Sequence, residues 1–154
     1  MQTVTECGHW RLRRRVLPQH TDHAGVMWHG AYLAWLEEAR VEALAAVGLA
    51  YSDLSARGLE LPVVHLSIQY RRALLHGDAV ELRSAVQPRR GLKLPWHSQF
   101  VAPDGEIAAE AAVELVLVAR AGSGGSSSGS ERRLLRRWPA DLSAAVEALQ
   151  RGPS

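Results

Sequence analysis

Asp22 stands in a Gly-containing run, QHTDHAGVMWHG, that leads straight into a helical pattern around His29, Gly30 and Ala31. The first amides of a helix have no intrahelical acceptor, and the helix dipole adds partial positive charge there, so an oxygen that becomes anionic is favoured at that place. An Asp carboxylate in water is ionised at neutral pH and can act as base or nucleophile. A carboxylate beside an oxyanion site is the pair of groups that acyl transfer needs. The same spacing also serves structure alone, with Asp22 closing an Asx turn and His29 capping the helix or packing beneath it.

Other residues carry weaker signals. Of the seven histidines, His20, His23 and His29 are close together, but they lack the helical spacing of a metal-binding pair, and no metal is expected. His65 falls in a strand pattern, where a histidine serves either as a structural hydrogen-bonding group or as a ligand contact. Arg89, Arg90 and Lys93 cluster at a turn, where they either hold phosphate or face water.

The elements that must position these groups follow from periodicity. Residues 9 to 16 read as a first strand. Tyr32, Trp35, Leu36, Ala39, Ala43, Leu44 and Val47 recur at spacings of three and four, which predicts one amphipathic helix over 31 to 47, with Gly48 just past its end. After a second loop the period becomes that of strands, at 61 to 73, 79 to 88, 92 to 102 and 106 to 119. HGD, RRG and PDG separate them as hairpin turns. About five antiparallel strands with one long helix make an α+β layer. Residues 121–130, AGSGGSSSGS, read as a flexible connector between a domain at 1–120 and a basic segment at 131–154 that ends in a short amphipathic helix.

Composition narrows the function classes. A chain of 154 residues is one domain by length, with 47% hydrophobic and 22% charged residues. Eighteen basic residues, of which Lys93 is the only lysine, oppose sixteen acidic ones. The resulting formal charge of +2 argues against a nucleic-acid partner. Cys7 is alone and forms no intrachain disulfide, the N-terminus lacks the apolar stretch of a signal peptide, and no run is long enough to span a membrane. A cytoplasmic protein is expected.

The run TDHAGVMWHGAYLAWLEEAR (21 to 40) resembles the signature of the hotdog-fold hydroxybenzoyl-CoA thioesterase family, with its short-chain acyl-CoA thioesterase branch. It sets Asp22, Gly25, Val26 with Met27, Trp28, His29 and Glu38-Ala39-Arg40 in the family's order, and the likeness continues through PVVHLSIQYRRALLHGDAVEL to the Gly77-Asp78 turn. The resemblance implies a hotdog fold, an antiparallel sheet wrapped around the long helix, and hydrolysis of an acyl-CoA thioester to free acid and coenzyme A without a cofactor. By position Asp22 is the family's catalytic carboxylate, as water-activating base or as nucleophile, and the helix start at His29 and Gly30 is the oxyanion site. The His29 side chain matches a histidine of the short-chain branch, whereas Pro18 and His20 replace a Tyr and an acidic residue there. Arg89, Arg90 and Lys93 match the coenzyme A-binding stretch, and His65 resembles its counterpart in enzymes acting on dihydroxynaphthoyl-CoA. Family members are homodimers or homotetramers with the site between subunits. The alternative function is a non-catalytic module that binds acyl-CoA or another small ligand.

Overall fold

The computed structural model describes residues 9–120 and 132–153; Cys7 and the connector expected at 121–130 lie outside them. The long helix, α1, spans His29–Ala46. It starts two residues before the periodicity predicts, because His29 and Gly30 precede its first apolar position. Ala31, Tyr32, Trp35, Leu36, Ala39, Arg40, Ala43 and Leu44 are buried, a stripe along one face. The helix stops at Gly48, whose φ of 84° favours glycine. There the N–H of Leu49 donates to Leu44 O at 2.8 Å and that of Gly48 to Ala45 O at 3.1 Å, satisfying carbonyls that the helix leaves open.

Five strands form the main sheet: β1 (Trp10–Arg15), β3 (Val63–Tyr70), β4 (Ala79–Val86), β5 (Leu94–Val101) and β6 (Ile107–Leu115). Their spatial order is β1-β4-β5-β6-β3, antiparallel throughout. Val80, Leu82 and Val86 of β4 and Leu94, Trp96 and Phe100 of β5 are buried at alternate positions, which is the period of a sheet with one face against a core. β3 differs. It closes one edge of the sheet, and Val63, Val64, Leu66 and Tyr70 are exposed.

Four parts of the chain depart from the sequence expectation, the first being HGD, which makes no hairpin: β3 pairs with β6 while β4 pairs with β1 and β5, so the connection between them crosses the sheet. The loop after α1 contains a short helix, α2 (Tyr51–Ala56). The apolar run expected as one strand over 106 to 119 divides at Val116, whose N–H donates to Pro62 O at 3.2 Å, and its end becomes β7 (Val118–Arg120). With β2 (Leu59–Glu60) and β8 (Arg132–Leu134), β7 makes a second sheet of order β2-β7-β8.

The terminal helix, α3 (Ala140–Arg151), completes the core. Leu142 and Leu149 have no exposed surface and share one apolar cluster with Leu44, Leu94, Trp96 and Leu115. Trp10 Nε1–H donates to Leu149 O at 2.9 Å, and Arg57 Nη1 donates to Asp141 Oδ2 at 2.6 Å, so β1 and the residue just past α2 both fasten this helix. No helix among the described residues is long and apolar enough to cross a membrane.

Candidate active site

The Asp22 loop is held by its own backbone. A one-turn 3-10 helix at Pro18–His20 precedes it, where Pro needs no acceptor for a missing N–H. His20 takes a structural role: Nδ1 accepts the N–H of Leu17 at 3.0 Å, and the ring meets Trp35 edge-on at 5.3 Å. The N–H of Asp22 then donates to Val26 O at 2.9 Å, and that of Gly25 to Asp22 O at 3.0 Å. This tight loop needs the positive φ of 77° at Gly25. The loop leans on the turn before β4 through the N–H of His76, which donates to Gly25 O at 3.1 Å.

Asp22 Oδ1 accepts the N–H groups of Ala24, at 2.9 Å, and of Val26, at 3.1 Å. The Asx turn therefore exists, but it uses one carboxylate oxygen only. Oδ2 has no hydrogen-bond partner among the described residues, and the side chain is exposed. Two residues beyond Val26, the N–H of Trp28 donates to His20 O at 3.0 Å, and α1 begins with no side-chain cap. The N–H of Ala31 bonds to Trp28 O at 2.9 Å, while those of His29 and Gly30 have no acceptor among the described residues. Two open donors and a carboxylate with one uncommitted oxygen thus occupy the same loop-to-helix junction.

Aromatic groups surround the junction. Trp28 folds back over the first turn of α1, where a Cβ on residue 30 would lie 2.6 Å from its Cζ2, so a side chain there would displace the exposed Trp28 ring. The His29 ring meets Trp28 edge-on at 5.2 Å. Beneath them Tyr32 is buried between Tyr70 and Phe100, with ring centroids 5.0 and 4.9 Å away. Trp28, Leu33, Tyr70 and Leu75 are exposed large apolar side chains.

Burial first, and then the neighbouring Tyr70, push the Tyr32 hydroxyl up to about 12. Between the ordinary value of 10.0 and about 12 the unfolded chain loses this proton while the folded chain keeps it. The contribution of Tyr32 to stability is therefore complete below pH 10 and is lost as pH rises toward 12. Denaturant unfolding followed from pH 9 to pH 12 should show that decline, and Tyr32→Phe should make it shallower.

The remaining sequence candidates lie elsewhere. Tyr70, Ala109 and Phe100 are in register at the end of the sheet where α1 starts, whereas Val63, Leu115 and Leu94 are in register at the other end, next to the 87–93 connection. There Lys93 Nζ pairs with Glu114 Oε2 at 3.1 Å, and Glu114 lies opposite His65 in the β3–β6 register. Arg89 is engaged within the fold: its guanidinium stacks on Trp138 at 4.4 Å, and Nη2 donates to Arg136 O at 3.0 Å. Arg90 is exposed. One chain thus unites Asp22, His29 and Gly30 but holds His65, Arg89, Arg90 and Lys93 apart from them. The Trp28 approach to Gly30 and the Arg89–Trp138 stack went unread in the sequence; the Gly two residues after an aromatic was the available sign of the former.

Comparison with known proteins agrees with this architecture. Residues 16–146 match the family model of the thioesterase-like superfamily. A protein named as an esterase in Synechocystis sp. is 42% identical over 102 residues, 66% of this chain, which spans only 60% of that relative's length. The acyl-CoA thioester hydrolase YbgC of Escherichia coli is 28% identical over 104 residues, covering 68% of this chain and 78% of the relative. A solved structure of the DHNA-CoA thioesterase from Staphylococcus aureus superposes with a TM-score of 0.76 at 22% identity, over 92% of this chain and 91% of the other. With its helix laid along a five-stranded antiparallel sheet in the hotdog arrangement, this chain belongs to the thioesterase-like superfamily.

Proposed function

We propose that the protein hydrolyses an acyl-CoA thioester to the free acid and coenzyme A. The observation that carries this reading is the junction itself: Asp22 keeps Oδ2 uncommitted in the loop that leads into α1, and the first amides of α1, at His29 and Gly30, are open. The substrate carbonyl oxygen points at those amides, and charge developing on it is stabilised by about 2.7–4 kcal/mol per donor. Asp22 Oδ2 either takes a proton from the attacking water or itself attacks the carbonyl carbon, and Oδ1 stays fixed by Ala24 and Val26 in both cases. The His29 side chain faces the substrate from the rim.

Assembly completes the site. β3 is an edge strand with exposed apolar side chains, the kind of edge that a second copy covers. Pairing across β3 about a two-fold axis is antiparallel, so it brings the partner's 87–93 connection toward the start of α1. Arg90, with Lys93 and Arg89, then holds the coenzyme A phosphates across the interface, and His65 lines the same strand edge. Trp28 and Tyr70 favour an apolar acyl group, aromatic or aliphatic.

Two measurements check this reading. Thiol release from aliphatic, benzoyl and naphthoyl thioesters of coenzyme A should identify one class that is turned over, and the absence of turnover across the whole panel contradicts it. Arg90→Ala should raise KM for acyl-CoA roughly three- to tenfold with kcat nearly unchanged, because a phosphate contact far from the carbonyl binds ground and transition states alike. An acyl-pantetheine thioester lacks those phosphates and should not respond; an equal rise on both substrates would place the phosphates elsewhere.

A further inference from the structure

A second arginine cluster lies on the outer face of the sheet, where β1, β4 and the end of β5 border a cavity of about 570 Å³. That volume is in the range of small-ligand sites. Arg13, Arg14, Arg15 and Arg83 line it with a single carboxylate, Glu81, over an apolar surface that includes Val101 and Pro103, and Arg14 is paired with Glu38.

The bonding of these groups is more telling than their number. Glu81 takes the Nε–H of Arg83 at 2.7 Å and of Arg13 at 3.2 Å, and Arg11 Nε pairs with it at 3.6 Å. Arg15 spends Nη1 on Gly77 O at 2.8 Å. The Nη groups of Arg13 and Arg83 have no acceptor among the described residues, so one shared carboxylate fixes two guanidinia by their inner edges and leaves their outer forks free. Such a fork matches two oxygens of a phosphate. With Arg14 paired to Glu38, the other three guanidinium groups of the lining face one carboxylate, and positive charge remains there.

A chain of hydrogen bonds links the cavity wall to the Asp22 loop. Gly77, which accepts from Arg15, follows His76, whose N–H holds Gly25 O. We propose that this cavity is a binding site for a nucleotide-like phosphorylated anion, its phosphates on the forks of Arg13 and Arg83 and its flat or apolar body on Val101 and Pro103. The anion is a nucleotide separate from the thioester substrate, whose phosphates are assigned to Arg90 and Lys93, residues that do not line this cavity. Occupancy is independent of turnover, so the proposal stands or falls apart from the assigned hydrolysis.

Titration calorimetry of the full chain with adenosine 3′,5′-bisphosphate and with inorganic pyrophosphate tests it. The unmodified protein should bind both, and Arg13→Ala with Arg83→Ala should weaken binding at least tenfold. Arg133→Ala with Arg137→Ala removes two surface charges elsewhere and should change affinity less than twofold, and matching thermal melts show that each variant folds. No binding by the unmodified protein, or equal losses in both double variants, overturns the proposal. KM for acyl-CoA should be unchanged in the Arg13/Arg83 variant; a rise for acyl-CoA but not for acyl-pantetheine would overturn the separate site.

Discussion

Asp22→Asn should lower kcat roughly 10²–10⁴-fold while leaving the fold and KM nearly intact, which is the usual scale for losing a positioned acid-base group. Asn preserves the local architecture, because its amide oxygen can still accept the N–H groups of Ala24 and Val26 that Oδ1 accepts now. What it removes is the charge on the uncommitted oxygen. Asp22→Ala loses both, so it should be at least as inactive and also less stable by a modest amount, since two loop hydrogen bonds go with the side chain. The ratio of the two variants separates chemistry from loop geometry. Turnover close to that of the unmodified protein in Asp22→Asn would remove Asp22 from the mechanism.

Leu149→Ala and Leu142→Ala should each cost about 2–5 kcal/mol, a large share of the roughly 5–15 kcal/mol that holds an ordinary domain together. Both side chains are wholly buried beside Trp96 and Leu115, and a truncated residue leaves a cavity that the surrounding strands cannot fill. Glu147→Ala, on the exposed face of the same helix, should stay within about 0.5 kcal/mol. Urea unfolding compares the three directly. Losses below about 1 kcal/mol for both leucines would mean that α3 is not part of the core. Deletion of residues 122–154 should be more severe, because it strips Trp138 from Arg89 and uncovers the cluster around Trp96. Aggregation rather than a soluble, inactive domain is the expected result.

What could be read from the sequence is what local chemistry determines. The buried stripe of α1, the glycine that ends it and the hairpin turns at RRG and PDG each depend on residues a few positions apart, and the structure has them, whereas HGD joins two strands that lie apart in the sheet. The Asx turn of Asp22 is of the same kind. By contrast, β2 has two residues and β8 three, too few to show a period, and they exist because β7 lies between them. The break after Leu115 was hidden within a continuous apolar run; it depends on Pro62 O, more than fifty positions away in the chain, and on a change of sheet. Arg89 shows the same limit at the site. Its charge and its turn are local and carry the phosphate reading, whereas its stack on Trp138 and its bond to Arg136 O join segments that no local pattern connects. His20 is the converse case, where a polar residue in a functional loop serves its backbone through Leu17.

The central claim is that a carboxylate beside the start of α1 breaks a thioester with water. It is tested most directly by incubating the full chain with its best acyl-CoA in ¹⁸O-labelled water while thiol and free acid are measured together. The account predicts equal amounts of coenzyme A thiol and acid, ¹⁸O in the acid carboxylate, and loss of both products in Asp22→Asn with acyl-CoA binding retained. Tight binding of acyl-CoA by the unmodified protein without release of thiol or acid would contradict it and make this chain a ligand-binding module instead.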